Sequence, residues 1–151
     1  MTAGDAHAIA AWRYPDPFSF YDWDRDPDDL AELLDPSEWG RRYFAADDVD
    51  SRLAGFFSFR LADGVAEIGL GLRPDLTGIG IGESFLATGL QFAAANLGAR
   101  GYVLAVAAFN HRAIAVYERA GFREMKRYEH RTDDGLHEFV SMARGPLAPS
   151  S

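Results

Sequence analysis

The chain has 151 residues, with 15 Lys and Arg against 23 Asp and Glu and a formal net charge of −8. That acidity argues against a general binder of phosphate backbones, and without cysteine the chain has no disulfide framework, no Cys-ligated zinc and no thiolate nucleophile. A hydrophobic share of 48% is too rich for disorder, a chain this size can bury about two-thirds of its surface, and no apolar run approaches the ~18 residues of a membrane span. The expectation is one folded domain over residues 1–144 with a disordered tail at 145–151, needing neither membrane nor nucleic acid.

Met1 to Trp12 has neither the basic start nor the apolar stretch of a secretory signal, so a cytoplasmic address is expected. The segment reads as a short helix from Thr2 to Trp12, with Thr2 or Asp5 as its cap and Ile9 and Trp12 on one face. From Arg13 to Trp39 four prolines (Pro15, Pro17, Pro27, Pro36) forbid a long helix but allow a short one from Pro27 or Asp28 to Leu34. Strands are predicted over Arg41–Ala46 and Arg52–Leu61, then a hairpin turn at Ala62-Asp63-Gly64 and a strand Val65–Leu72. A glycine loop after Pro74 leads into a helix ending at Asn96, followed by a buried strand Tyr102–Ala107. A helix Asn110–Ala120 closed by Gly121 precedes two strands, Phe122–Arg131 and His137–Met142, with a turn at Asp133-Asp134-Gly135.

The strongest chemical signal is Arg73-Pro74-Asp75-Leu76-Thr77-Gly78-Ile79-Gly80-Ile81-Gly82-Glu83-Ser84, a strand end feeding a glycine loop that opens a helix. Glycine at 78, 80 and 82 lets the backbone turn with its N–H groups exposed, and a helix start adds the positive end of a dipole. The same pattern is compatible with an ordinary tight turn. The dinucleotide fingerprint fails, because Glu83 or Phe85 stands where its last glycine belongs, and the P-loop fails for want of Gly-Lys-Ser/Thr. No Gly-x-Ser-x-Gly elbow occurs, so Ser84 belongs to the loop or helix start. The four histidines lack ligand spacing, and no metal site is expected. In Glu67-Ile68-Gly69-Leu70-Gly71-Leu72 the strand alternation places Glu67, Gly69 and Gly71 on one face. Those glycines either line a cleft or relieve crowding against the Phe-rich neighbouring strand.

A second block, Asn110-His111-Arg112-Ala113-Ile114-Ala115-Val116-Tyr117-Glu118-Arg119-Ala120-Gly121-Phe122, lies some thirty residues further on. Together the two blocks resemble the GNAT superfamily of N-acetyltransferases, over about Gly55 to Met142. The family's loop pattern [Gln/Arg]-x-x-Gly-x-[Gly/Ala] falls on Thr77, Gly80 and Gly82, and its Asn, Tyr and Gly-Phe fall on Asn110, Tyr117, Gly121 and Phe122. Thr77 departs from the usual Arg or Gln, so one pyrophosphate contact would come from a hydroxyl or from nearby Arg73. The family's first strand has almost no room before the first helix.

The resemblance implies a mixed α/β fold, a largely antiparallel sheet flanked by helices, with that first strand absent or dispensable. It implies acetyl-CoA (coenzyme A) as acyl donor, its pantetheine arm inserted between the strands Val65–Leu72 and Tyr102–Ala107. Cofactor contacts would come from Leu70, Leu72, Arg73, Thr77, Gly78, Ile79, Gly80, Ile81, Gly82, Glu83, Ser84, Asn110 and Tyr117. The activity implied is direct transfer to a primary amine, with backbone N–H groups near Leu70–Leu72 as oxyanion donors and Tyr117 as general acid toward the CoA sulfur. Tyr117 also admits a packing role, and Asn110, a pantetheine donor by resemblance, also suits an N-cap. Glu67 is the candidate base or a solvated strand carboxylate. A non-catalytic acyl-CoA sensor or an interaction module on the same fold is the alternative.

Tyr14–Asp29 holds six aspartates against Arg25 alone, alongside Phe18, Phe20, Tyr21 and Trp23. In the family this region walls the acceptor side, so Phe20, Tyr21, Trp23 and Glu67 are the expected substrate contacts for a cationic small-molecule or peptide amine. A solvated acidic loop whose aromatics cap the core is the opposing reading. A homodimer is compatible with all of this.

Overall fold

The computed structural model describes residues 1–132 and 135–145. Six strands, β1 (Tyr43–Asp47), β2 (Leu53–Ala62), β3 (Val65–Leu72), β4 (Gly101–Ala107), β5 (Arg123–Thr132) and β6 (Gly135–Arg144), form one sheet in the order β1-β2-β3-β4-β6-β5. The sheet is mostly antiparallel and is flanked by α1 (Ala3–Ala10), α2 (Pro27–Leu33), α3 (Gly82–Leu97) and α4 (His111–Arg119), which is the expected mixed α/β architecture. None of the described helices is long and apolar enough to cross a membrane. The chain forms two compact units, one of Met1–Ser58, Leu70–Thr77 and Arg131–Gly135, the other of Phe59–Gly69, Gly78–His130 and Leu136–Ser151.

In the first unit both cap candidates of α1 act together: the Thr2 hydroxyl accepts from Asp5 N–H while the Asp5 carboxylate accepts from Thr2 N–H. Ala6, Ile9 and Trp12 then join Leu33, Tyr43 and Phe56 in a core. The Pro-rich stretch folds as two short 3₁₀ turns, Phe18–Tyr21 and Trp23–Arg25, before α2 opens on Pro27 with Asp26 accepting from Asp29 N–H. β1 starts two residues later than predicted, because Arg41 and Arg42 turn back onto Glu38, donating to its backbone carbonyl and pairing with its carboxylate. β1 and β2 pair antiparallel from Tyr43↔Ser58 to Ala46↔Gly55, with a register shift between Ala46 and Asp47.

In the second unit the β2–β3 turn places Asp63 (φ 53°) and Gly64 (φ 80°) both in the left-handed region, as a two-residue hairpin of the primed type requires. That turn sets the strand phase: Ala66 and Ile68 are buried and Glu67 is exposed. β3 runs parallel to β4, with Val65, Ala66 and Glu67 opposite Gly101, Tyr102 and Val103. Parallel neighbours need a crossover, and α3 supplies it, burying Leu86, Leu90 and Ala93 and closing on Gly98 at φ 70°. β4 and β6 pair antiparallel from Tyr102↔Arg144 to Ala107↔Phe139. β6 is longer at both ends than predicted, and β5 forms a sheet edge. Of the last hairpin turn, Asp133 and Asp134 lie outside the described residues, as do tail residues 146–151.

Crowding accounts for one of the strand glycines: an ideal Cβ on Gly71 would lie 2.5 Å from Phe56 Cε1, in the core of the first unit. Gly71→Ala should therefore cost about 1–3 kcal/mol by overpacking, measured by urea denaturation. Phe56→Leu in the same chain should recover part of that loss, and strictly additive effects would show that the ring is not the obstacle.

Candidate active site

The loop begins where β3 ends. Arg73 N–H donates to the Ala54 carbonyl at 2.7 Å, Pro74–Leu76 makes a single 3₁₀ turn, and the Thr77 hydroxyl closes it by donating to the Pro74 carbonyl at 2.8 Å. Gly78 (φ 75°) and Gly80 (φ 85°) then adopt left-handed backbone, whereas Ile81 is right-handed (φ −96°, ψ −1°) and α3 starts at Gly82. Alternating handedness turns successive N–H groups to one side, a concavity that suits an anion. The first N–H groups of α3 have no intrahelical acceptor and add the positive end of the helix. The Ser84 hydroxyl donates back to the Ile81 carbonyl at 3.0 Å, so it stabilises the helix start. Gly78, Ile79 and Gly80 are exposed, and nothing lies within 4 Å of a Cβ built on Gly80.

α4 lies along this loop through one stripe of residues. An ideal Cβ on Gly78 would sit 2.7 Å from Arg112 Nη1, one on Gly82 would sit 3.4 Å from Val116, and Arg119 Nε donates to Glu83 Oε1 at 2.6 Å. Positions 112, 116 and 119 are spaced to share one helix face. The Arg119–Glu83 pair is half-exposed, 58% and 53%, and so contributes at most about 1 kcal/mol. On another face, Asn110 Oδ1 caps α4 by accepting from Ala113 N–H at 3.2 Å. Tyr117, two turns later and half-buried, lies with its ring 6.0 Å from that of Phe122. The cap role of Asn110 is thus present, and the packing of Tyr117 against Phe122 is present, beside whatever each does for a ligand. Arg112, whose tip lies against Gly78, is not among the candidates that the sequence offers. Its signal was an arginine in the first turn of a helix with no acidic residue there.

The remaining site residues divide between the two units. Glu67, in the second, is an exposed carboxylate opposite Val103. In the first, Leu70 and Leu72 are half-buried, and the Leu72 carbonyl accepts from Tyr14 Oη at 2.8 Å. Tyr14 N–H donates to Asp22 Oδ1 at 2.9 Å, and Asp22 is only 7% exposed. Burial first, and the Asp22 charge second, push the Tyr14 phenol well above its ordinary value, so it stays a donor. Arg73 is engaged inside its own unit: Nε and Nη2 donate to Asp75 at 2.6 and 3.1 Å, and Nη1 donates to the Leu53 carbonyl at 2.7 Å. Those hydrogen bonds hold the Asp75 carboxyl below the usual carboxylate range.

The acidic run has local duties as well. Asp16 accepts from the Ser19 hydroxyl, Asp24 pairs with Arg13 at 3.4 Å, and Asp26 caps α2. Trp23 packs edge-on to Phe56 at 5.3 Å between ring centroids and 6.4 Å from Tyr43, so this ring does cap the core. Tyr21 is half-buried in the first 3₁₀ turn, which also contains Phe20. Among the described residues no group of three or more His, Asp or Glu is placed to hold a metal ion.

The left-handed glycines, the start of α3 and Arg112 are a donor set that fits a polyphosphate, and Gly80 is open to its approach. Solved structures agree at the level of fold. A spermidine N-acetyltransferase chimera from Vibrio cholerae and hSSAT is similar with a TM-score of 0.76 at 20% identity, covering 96% of this chain and 92% of that one. Spermidine N-acetyltransferase from Vibrio cholerae in complex with CoA and spermine gives 0.75 at 20%, covering 95% and 90%. Mycothiol acetyltransferase of Clavibacter michiganensis subsp. michiganensis is 44% identical over 80 residues, and that of Clavibacter sepedonicus 42% over 83, each match covering 52% of this chain and 26% of the relative. The chain thus spans about a quarter of the length of these curated relatives. Residues 6–122, well over half the chain and including both the glycine loop and α4, match the acetyltransferase (GNAT) family, and the chain belongs to that family.

Proposed function

We propose that this chain is an acetyl-CoA-dependent N-acetyltransferase that passes the acetyl group directly to a primary amine, with donor and acceptor held at once. The observation that carries the reading is the second unit's assembly of a left-handed glycine loop, the start of α3 and the Asn110–Tyr117 face of α4. Acetyl-CoA, when bound, supplies an activated thioester. The N–H groups of Gly78–Gly82 hold its phosphates, and the Asn110 side-chain amide, whose Oδ1 caps α4, offers Nδ2 to the pantetheine arm. The β3–β4 register carries three residue pairs while both strands continue beyond it, which supports an arm lying alongside them. Backbone N–H groups at Leu70–Leu72 polarise the acyl oxygen, and Tyr14, by fixing the Leu72 carbonyl, orients that backbone. Tyr117 Oη gives its proton to the departing sulfur, while Glu67 takes the proton of the attacking amine directly or through water. With no cysteine in the chain, no acyl-thiol intermediate forms on it, which supports direct transfer with both substrates in one complex.

The acceptor we propose is a cationic amine, a small molecule or a peptide. The net charge of −8, the aspartates of Tyr14–Asp29 and the aromatic rings among them support it. So does the fold shared with an enzyme solved in complex with CoA and spermine.

Gly80→Asp tests the cradle: Asp enters left-handed backbone at a modest cost in strain and meets nothing within 4 Å, so the fold should survive while the added negative charge abolishes acetyl-CoA binding in calorimetric titration. Unchanged affinity would refute the cradle. Tyr117→Phe should lower kcat by on the order of 10²- to 10⁴-fold with little change in acetyl-CoA affinity. Wild-type turnover would reduce Tyr117 to packing, and acetyl-CoA binding without turnover of any amine in the wild-type chain would identify an acyl-CoA-binding module instead. In a steady-state screen of amines, cationic acceptors should be preferred and their kcat/KM should fall with added salt. A preference for neutral or anionic acceptors would overturn that assignment.

A further inference from the structure

We infer that Arg112 supplies the side-chain cation of the pyrophosphate site, reaching it from α4; the inference rests on the acetyl-CoA reading above. Between Thr77 and Gly82 the loop carries no charged side chain, and the Thr77 hydroxyl is given to the Pro74 carbonyl. Arg73 is committed to Asp75 and to the Leu53 carbonyl, and the first charged residue of α3 is the anion Glu83. Backbone N–H groups alone would thus face a strongly anionic group with no full positive charge from the loop itself.

Arg112 answers that deficit by geometry. Its Nη1 lies 2.7 Å from where a Cβ on Gly78 would be, so the guanidinium rests against the loop backbone only because residue 78 has no side chain. Arg112 also sits at the second position of α4, where the helix dipole favours an acid, and the first turn of α4 contains none. A local preference broken in this way marks a functional position. Arg119 meanwhile pairs with Glu83 from the same face of α4, masking the nearest anion. The planar guanidinium can place two parallel N–H donors on one phosphate, which an ammonium cannot match.

Calorimetric titration of the purified chain and its variants with CoA, 3′-dephospho-CoA and pantetheine tests this, with circular dichroism to show that each variant is folded. Arg112→Ala should weaken CoA by about 10- to 100-fold, and equally weaken 3′-dephospho-CoA, while leaving pantetheine unaffected. Arg112→Lys should fall in between, and Thr77→Arg added to Arg112→Ala should restore part of the CoA affinity by returning a cation to the loop. Wild-type CoA affinity in Arg112→Ala, or an equal loss for pantetheine, would overturn the inference. A loss that vanishes with 3′-dephospho-CoA would also overturn it, placing Arg112 on the ribose phosphate. A wild-type chain that binds no CoA would instead sink the cofactor reading on which the inference depends.

Discussion

The parallel pairing of Val65–Glu67 with Gly101–Val103 is the constraint from which the site follows. Antiparallel neighbours can be joined by two residues, as β2 and β3 are at Asp63-Gly64, but parallel ones require the chain to travel back the length of the strand. α3 is that return path, and the glycine loop is its entrance. Because β3 and β4 point the same way, the segment leaving each strand departs from the same end of the sheet, and each leads into a helix. Two helices, each with the positive end of its dipole at its start, thereby follow the same end of the parallel pair before any side chain is considered.

Side chains then refine what topology has assembled. Gly78 lets the tip of Arg112, from α4, rest against the loop, whereas beside Val116 a Cβ on Gly82 would make only ordinary van der Waals contact. The same helix presents Asn110 and Tyr117 about two turns apart on another face, so α4 both holds the loop and carries the polar groups assigned to the pantetheine end. In the first unit an independent set of contacts fixes the end of β3: Tyr14 on the Leu72 carbonyl, Phe56 over Gly71, and Arg73 on the Leu53 and Ala54 carbonyls. Little of this rests on exposed ion pairs, which contribute weakly. It rests on buried rings and backbone hydrogen bonds.

What was legible in the sequence was local. β3 was read to its exact ends because an Asp-Gly turn starts it and Arg73-Pro74 stops it, and α4 to within one residue at each end because Asn110 and Gly121 are chemically explicit punctuation. The glycine loop announced itself by residue type. What escaped was anything set by where a long side chain ends. Arg112 belongs in sequence to a helix start, yet its tip reaches a loop more than thirty residues earlier, and no periodicity reports that. Asp22 reads as one more acid in a solvated run, whereas the fold buries it under the Tyr14 N–H. Trp23 and Gly71 carry a comparable lesson: an aromatic beside acids and a glycine in a strand both suggest a cleft, and both turn out to meet Phe56.

The two margins of the sheet bear on how molecules of this chain meet one another. β5 carries six charged residues in ten, and β1 is only five residues long with a register break near its end. A further strand laid along β5 would have to desolvate Arg, Lys and Glu side chains, and one laid along β1 would lose its match after a few hydrogen bonds. Open-ended stacking of sheets is therefore discouraged at both margins. Charge along one margin and a short, broken register along the other thus guard the two places where the ladder could be extended.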